Sequence, residues 1–365
     1  MAGRERKYTP RTRSSRPLGP SRSSNKAPST PLSPPTLHET GMWHLPNPLA
    51  QRLHEKSALG CLSDAGGILL TAEEVMFCHW YRHVPLPNDD LNWFDNEVRH
   101  HPDLALRTIG MDVLRNGGER VVPIVHLRHR FSSLNPSSWA IRWERHESWM
   151  HHPGFSQIRL QHTNDQLDWD ELFQWVIDAN QQGHVAELCV IDDEFDATVY
   201  HLSLTEPQGD HRQHSELTHD EHELLQEAID ASSRMETGYF LPTKGPWPLP
   251  SFGIEHFSGR YLREEEHAYL TQTGTSPFDN LFAALVEQGL MLRPGFKYGC
   301  RWRAYETAIE HEHAPWLIQP KHEAAKNWEE VCLSVRLAEG VNKRWLCAFP
   351  SHDGGFSFLN IKRSA

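Results

Sequence analysis

One short pattern occurs twice in this chain of 365 residues, at a constant offset: Leu70, Glu73, Glu74 and Phe77 are answered by Leu262, Glu265, Glu266 and Tyr269. Two further pairs keep the same order. DVLRNGG (112–118) and ALVEQGL (284–290) read as apolar helix ends closed by Gly117 and Gly289. ELCVIDDEFDATVYHL (187–202) alternates around an acidic turn, and RWLCAFPSHDGGFSFLNI (344–361) does so around Asp353, Gly354 and Gly355. Both predict β-hairpins. Three matched elements in matched order predict an internal duplication, with units of roughly 55–205 and 235–365, so the chain folds as two copies of one plan.

Within each unit the helical patterns come first and the strand patterns last, which predicts an α/β (α+β) fold with a small mixed sheet. TAEE opens the first helix, with Thr71 as cap and Glu74 three residues on, the spacing of a capping box. In GCRWRAYET, Arg301, Arg303 and Tyr305 share one strand face and Trp302 and Ala304 the other. VCLSVRL reads as a strand too, with Val331, Leu333, Val335 and Leu337 against Cys332, Ser334 and Arg336. Residues 1–45 form a basic tail rich in Ser and Pro that cannot bury enough apolar surface to offset ordering entropy, so folded structure is expected from about residue 50. Residues 206–235, TEPQGDHRQHSELTHDEHE and beyond, read as a linker running into a helix.

Charge and cysteine usage narrow the function classes. With 48 acidic and 36 basic residues the formal charge is -12, which supplies no broad electrostatic grip on nucleic acid. An RNA partner would have to be met by local patches of Arg and Lys. The first 26 residues hold one basic cluster, from Arg4 to Lys26. The six cysteines stand singly, without a CxxC pair, which argues against zinc ribbons and disulfide scaffolds. No apolar stretch nears the ~20 residues needed to cross a bilayer, and a soluble, intracellular, cytoplasmic protein is expected.

Three residues near the C-terminus could carry chemistry: Tyr305 at a strand end, His313 in EHEHAPW and Lys343 in EGVNKRW. Tyr, His and Lys can together take a proton from a ribose 2'-hydroxyl, protonate a leaving 5'-oxygen and stabilise phosphorane charge. RNA supplies its own nucleophile in such a reaction, so neither metal nor other cofactor is called for. Each residue alone reads equally well as an anchor or a solvated surface group.

The segment FKYGCRWRAYETAIEHEHAPWLI, followed by VRLAEGVNKRWLCAF, resembles the C-terminal catalytic signature of the tRNA-intron splicing endonuclease family. FKYG (296–299) matches its Gly-Leu-Lys-Phe-Gly-like opening. Tyr305, His313-Ala314-Pro315-Trp316 and Arg336-Leu337-Ala338 with Lys343 match the rest, and Pro315 departs from the usual pattern. With the duplication, the likeness is to the archaeal fused-repeat homodimeric form. It implies Tyr305 as general base, His313 as general acid in preference to His311, and Lys343 as electrostatic stabiliser. It also implies cutting of both splice sites in a bulge-helix-bulge of precursor tRNA, leaving 2',3'-cyclic phosphate and 5'-hydroxyl ends. Two Arg side chains clamp a flipped base in that family. Arg336 is the best positional match for one and Arg363 a weaker match for the other, while Arg301 and Arg303 are candidate phosphate contacts. The first repeat, where His126 and His146 stand without a matching Tyr, carries no such trio. Its acidic turn, Asp192, Asp193, Glu194 and Asp196, is a candidate inter-chain contact. The resemblance divides the chain into the tail at 1–45, an N-terminal part of repeat 1 at 50–100 and a non-catalytic nuclease-like domain at 101–205. The linker and helix follow at 206–235, then the N-terminal part of repeat 2 at 236–278 and a catalytic domain at 279–365. Two other readings compete. A metal nuclease would use the carboxylates of EEE (264–266) or DDEFD (192–196), and a non-catalytic RNA-binding or scaffold subunit would need no trio.

Overall fold

The structure is a computed structural model that describes residues 32–131, 134–242, 245–309, 312–351 and 354–364. The chain divides into two compact units, Met1–Asn164 with Asp178–Val199 and Asp165–Ile177 with Tyr200–Ala365.

The first unit opens with β1 (Thr36–Leu37) and β2 (Trp43–Leu45), then α1 (Leu49–Ser57), β3 (Cys61–Leu62), β4 (Ile68–Leu70) and α2 (Ala72–Arg82). Folded structure thus begins before residue 50. The expected tail lies outside the described residues as far as Pro31, but Trp43 and Leu45 are buried in the first core and pair with Leu70 and Ile68. Two apolar side chains at alternate strand positions suffice to order this stretch despite its polar surroundings. Helices α3 (Trp93–His100) and α4 (Leu104–Arg115) lead to β5 (Arg120–Pro123), β6 (Ala140–Trp143) and β7 (Ser156–His162). In the chain α5 (Trp169–Gln181), whose residues up to Ile177 belong to the second unit, is followed by β8 (Val185–Ile191) and by β9 (Ala197–Thr205), whose residues from Tyr200 belong to the second unit. A turn lies between β8 and β9, closed where the Asp192 N–H donates to the Asp196 carbonyl at 3.1 Å.

The elements of the second unit come in a similar order. After α6 (His219–Asp230) come β10 (Ser233–Met235), β11 (Gly238–Leu241), β12 (Ile254–His256), β13 (Gly259–Arg263), α7 (Glu264–Leu270) and α8 (Pro277–Glu287). Then follow β14 (Met291–Pro294), β15 (Trp302–Tyr305), β16 (Trp316–Pro320), α9 (Trp328–Gly340), β17 (Arg344–Pro350) and β18 (Phe356–Arg363). The small sheets have orders β1-β2-β4-β3 and β10-β11-β13-β12. The strand runs β5-β6-β7-β8 and β14-β15-β16-β17 both pair antiparallel, antiparallel, then parallel. This α+β architecture of two sheet-and-helix modules is consistent with a duplicated nuclease-like plan.

The matched glutamates serve one local purpose in both units. Glu74 accepts the N–H of Thr71 at 2.9 Å, closing the capping box of α2, and that of Gly60 at 2.8 Å. Glu266 accepts the N–H of Arg263 at 2.9 Å and that of Gly253 at 3.1 Å. A buried carboxylate needs a cation as well. Glu74 takes His126 at 2.7 Å, and Glu266 takes Arg263 at 2.9 Å and Arg293 at 3.1 Å.

VCLSVRL is helical, contrary to the strand expected from its alternation. Trp328, Val331, Cys332, Val335 and Ala338 are the buried positions of α9, three and four residues apart, while Leu333 and Leu337 are half exposed. Asn327 caps the helix by accepting the Glu330 N–H at 3.0 Å.

Candidate active site

Strand β15 runs antiparallel to β16, and β16 runs parallel to β17, so the end of β15 and the starts of β16 and β17 share one edge. The register there is Ala304 to Trp316 and Trp316 to Arg344. Tyr305 follows the first of these residues and Lys343 precedes the last, with Pro315 between them. Neighbouring strands are ~4.8 Å apart, so Tyr305 and Lys343 stand about two strand spacings from each other across the segment that carries His313.

Ala314 joins the two outer residues. It packs in a small buried cluster with Tyr305 and Met291, and its carbonyl accepts a hydrogen bond from Lys343 Nζ at 2.5 Å. His313, one residue earlier, is exposed. The Lys343 N–H donates to the Ala338 carbonyl at 2.9 Å, and Asn342 takes a left-handed conformation to turn the chain from α9 into β17. Burial, and then the neighbouring Arg303 charge, hold the Lys343 ammonium below the usual lysine range.

The four candidate arginines fare differently. Arg303 lies at this edge: its guanidinium is 5.8 Å from the Tyr305 ring and 5.9 Å from that of Tyr298, and Nε donates to the Pro294 carbonyl at 3.0 Å. Arg301 precedes the other end of β15, about 13 Å from Tyr305 along an extended chain. There it faces Glu265 at 3.2 Å and Glu323 at 3.7 Å, stacks on Phe278 and lines an open cleft of about 640 Å³ that does not include the trio. Arg336 is exposed on α9. Arg363, at the end of β18, is tied to Glu339 of that helix at 2.5 Å. His311 lies outside the described residues.

Tyr298, within the FKYG motif, has no role that the sequence alone makes legible. Its ring lies 5.8 Å from Lys343 Nζ as well as near Arg303, which makes it the common neighbour of both cations. No spacing rule signals this, because it depends on the pairing of three strands.

The same register locates the corresponding positions of the first unit. Trp143 follows Arg142 as Tyr305 follows Ala304, Pro153 precedes Ser156 by three residues as His313 precedes Trp316, and His184 precedes Val185 as Lys343 precedes Arg344. Trp143 is fully buried and donates to the His152 carbonyl at 2.8 Å, and His184 meets the Pro153 carbonyl at 3.2 Å. A tryptophan and a proline offer no acid or base, so this edge cannot support the chemistry open to the second unit. His126 is committed to Glu74 and His146 is exposed on a turn.

Among the described residues, no group of three or more His, Cys, Asp and Glu is arranged to hold a metal ion. The EEE cluster diverges: Glu264 pairs with Arg234, Glu265 with Arg301, and Glu266 is the buried glutamate described above. At the acidic turn, Asp192 accepts the Glu194 and Asp196 N–H groups and Asp193 meets His162 at 3.2 Å. No helix among the described residues is long and apolar enough to cross a membrane.

The strand edge thus carries Tyr305, Lys343 and Arg303 beside the segment that holds His313. Residues 280–358 match the family "tRNA intron endonuclease, catalytic C-terminal domain". The chain is 26% identical to a tRNA-splicing endonuclease of Picrophilus torridus over 155 residues, 42% of this chain and 48% of that protein. It is 24% identical over 363 residues to that of Haloferax volcanii, covering 89% and 98% of the two chains. With that of Methanopyrus kandleri the identity is 26% over 125 residues, 27% of this chain and 70% of the relative. All three relatives are tRNA-splicing endonucleases, and the family match falls on the stretch that holds Tyr305, His313 and Lys343.

Proposed function

We propose that the chain is a tRNA-intron lyase that excises introns from precursor tRNA by cutting both splice sites of a bulge-helix-bulge. The observation that supports this reading is the hydrogen bond from Lys343 to the carbonyl of Ala314, which packs with Tyr305 and directly follows His313 in the chain. Tyr305 takes the proton from the 2'-hydroxyl of the bulge nucleotide, and that oxygen attacks the adjacent phosphorus. Lys343 stabilises the added charge on the non-bridging oxygens. His313, exposed and free to meet substrate, gives a proton to the departing 5'-oxygen. The products are a 2',3'-cyclic phosphate and a 5'-hydroxyl, and no cofactor takes part.

The repeated strand orders and registers favour a fused-repeat chain with one working site. Two copies in a homodimer would then provide the two sites that two splice junctions require. Asp193 is 80% exposed, so the turn Asp192, Asp193, Glu194 and Asp196 can serve as the inter-chain contact. Arg336 and Arg363 are the proposed base-clamping pair, with Glu339 holding Arg363 at the ready. The proposed division remains a tail, two N-terminal parts, a linker with its helix, a non-catalytic domain and a catalytic domain from residue 279.

The test is cleavage of a short bulge-helix-bulge RNA in excess EDTA by the full chain and by His313→Ala, with analysis of product ends. Two cuts with cyclic phosphate and 5'-hydroxyl ends, lost in the variant, are expected. A well-folded wild type that cuts only after magnesium is restored would refute the mechanism.

A further inference from the structure

Several arginines of the second unit are neutralised by carboxylates. Arg301 has Glu265 and Glu323, Arg363 has Glu339, and Arg263 and Arg293 share Glu266. Arg303 and Lys343 are neighbours, yet among the described residues no carboxylate lies within ion-pair distance of either. Two like charges held together without a counter-ion repel each other, and that repulsion is relieved when an anion enters between them.

The protein invests in keeping them together. Nε of Arg303 is fixed by the Pro294 carbonyl, Lys343 Nζ by the Ala314 carbonyl, and the Tyr298 ring lies within 6 Å of both cations. An arginine hydrogen-bonded through Nε keeps its terminal N–H groups for a planar, two-pronged grip on phosphate oxygens, while a lysine acts as a point charge. The groups facing Lys343 are Arg303 from β15, Tyr298 from the turn before it, and the Ala314 carbonyl next to His313.

We propose that Arg303 and Lys343 form one two-cation seat for the phosphate of the cleaved bond, with Tyr298 as the positioning residue that keeps the cations side by side. The identity of the phosphate rests on the proposed RNA cleavage, whereas the existence of an anion seat does not.

The experiment separates these two statements. In the full-length chain labelled with 15N-lysine, the Lys343 Nζ resonance, assigned through Lys343→Arg, is titrated with pH in the presence and absence of inorganic phosphate. Phosphate is expected to raise the Lys343 midpoint in the wild type. In Arg303→Gln the midpoint without phosphate is expected to lie higher than in the wild type, because a repelling charge is gone, and phosphate should barely move it. Tyr298→Leu should weaken the phosphate response. A wild-type midpoint indifferent to phosphate, or an equal response in Arg303→Gln, overturns the seat. On bulge-helix-bulge RNA, single-turnover cleavage by Arg303→Gln is expected to fall about 10²–10³-fold, with Arg303→Lys in between. Equal cleavage by Arg303→Gln overturns the assignment to the scissile phosphate. A phosphate response in a wild type that cuts no RNA would uphold the seat and refute the proposed reaction instead.

Discussion

Lys343 reaches across the start of β16 to hydrogen-bond the Ala314 carbonyl, the residue that packs on Tyr305. The ammonium is therefore placed by backbone, and its charge can be removed without dismantling the strands. Lys343→Gln should lower cleavage about 10²–10³-fold while leaving the unfolding transition near its wild-type midpoint. Lys343→Arg should keep part of the rate. Since burial and Arg303 depress the Lys343 pKa, the cation is present at low pH and lost as pH rises through a value below ~10.4. The rate should fall on that alkaline limb, and the limb should vanish from the residual activity of Lys343→Gln.

His126 and Glu74 make a buried ion pair at 2.7 Å within the first unit. Burial opposes both charges. The Glu74 charge and the hydrogen bond that His126 donates to Glu74 outweigh it to raise the His126 pKa, and the His126 charge outweighs it to lower that of Glu74. For His126 the stabilisation is complete below the unfolded value of ~6.5 and is lost as pH rises toward the folded value. For Glu74 it is complete above ~4.3 and is lost on acidification. Urea unfolding should give this pair its largest effect between roughly pH 4.5 and 6.5. His126→Ala should cost about 3–5 kcal/mol there, because the Glu74 carboxylate loses its cation in a dry site.

Helix α9 shows where sequence was legible and where it was not. The hairpins, the Thr71–Glu74 cap and the two faces of β15 depend on residues a few positions apart, and their spacing is visible in one dimension. In VCLSVRL the apolar residues satisfy a strand period and a helical one together, and only packing of Val331, Val335 and Ala338 decides between them. The proposed trio rests on motif likeness, whereas the Arg303–Tyr298–Lys343 grouping arises from cross-strand register, which no local pattern encodes. The two periods make opposite predictions for Val335, fully buried, and Leu337, 50% exposed. A strand would bury both on one face. The helix predicts that Val335→Ala costs about 1.5–3 kcal/mol. Leu337→Ala should stay within about 0.5 kcal/mol, as read from paired denaturant titrations.

Gly209 and Gly289 meet backbone to backbone, and this contact turns part of the expected linker into an ordered strap. The Gly209 N–H donates to the Gln288 carbonyl at 3.0 Å, that of Asp210 to the Glu306 carbonyl at 2.8 Å and that of His211 to the Gly289 carbonyl at 2.9 Å. Glu306 directly follows Tyr305 and also accepts the Trp316 indole N–H at 2.7 Å, so the strap braces the strand end that carries the proposed base. A Cβ on Gly289 would come within 2.1 Å of the Gly209 carbonyl oxygen, and Gly289 also has φ of +78°. Gly289→Ala therefore meets two penalties, about 1–2 kcal/mol for the left-handed backbone and a further loss from displacing the strap. A Cβ on Gly209 would lie 2.4 Å from the Gly289 oxygen, but its backbone is outside the left-handed region, so Gly209→Ala meets the second penalty alone. Urea unfolding should rank Gly289→Ala as the more damaging substitution. Equal midpoints for both variants and wild type would mean that the strap does not hold in solution.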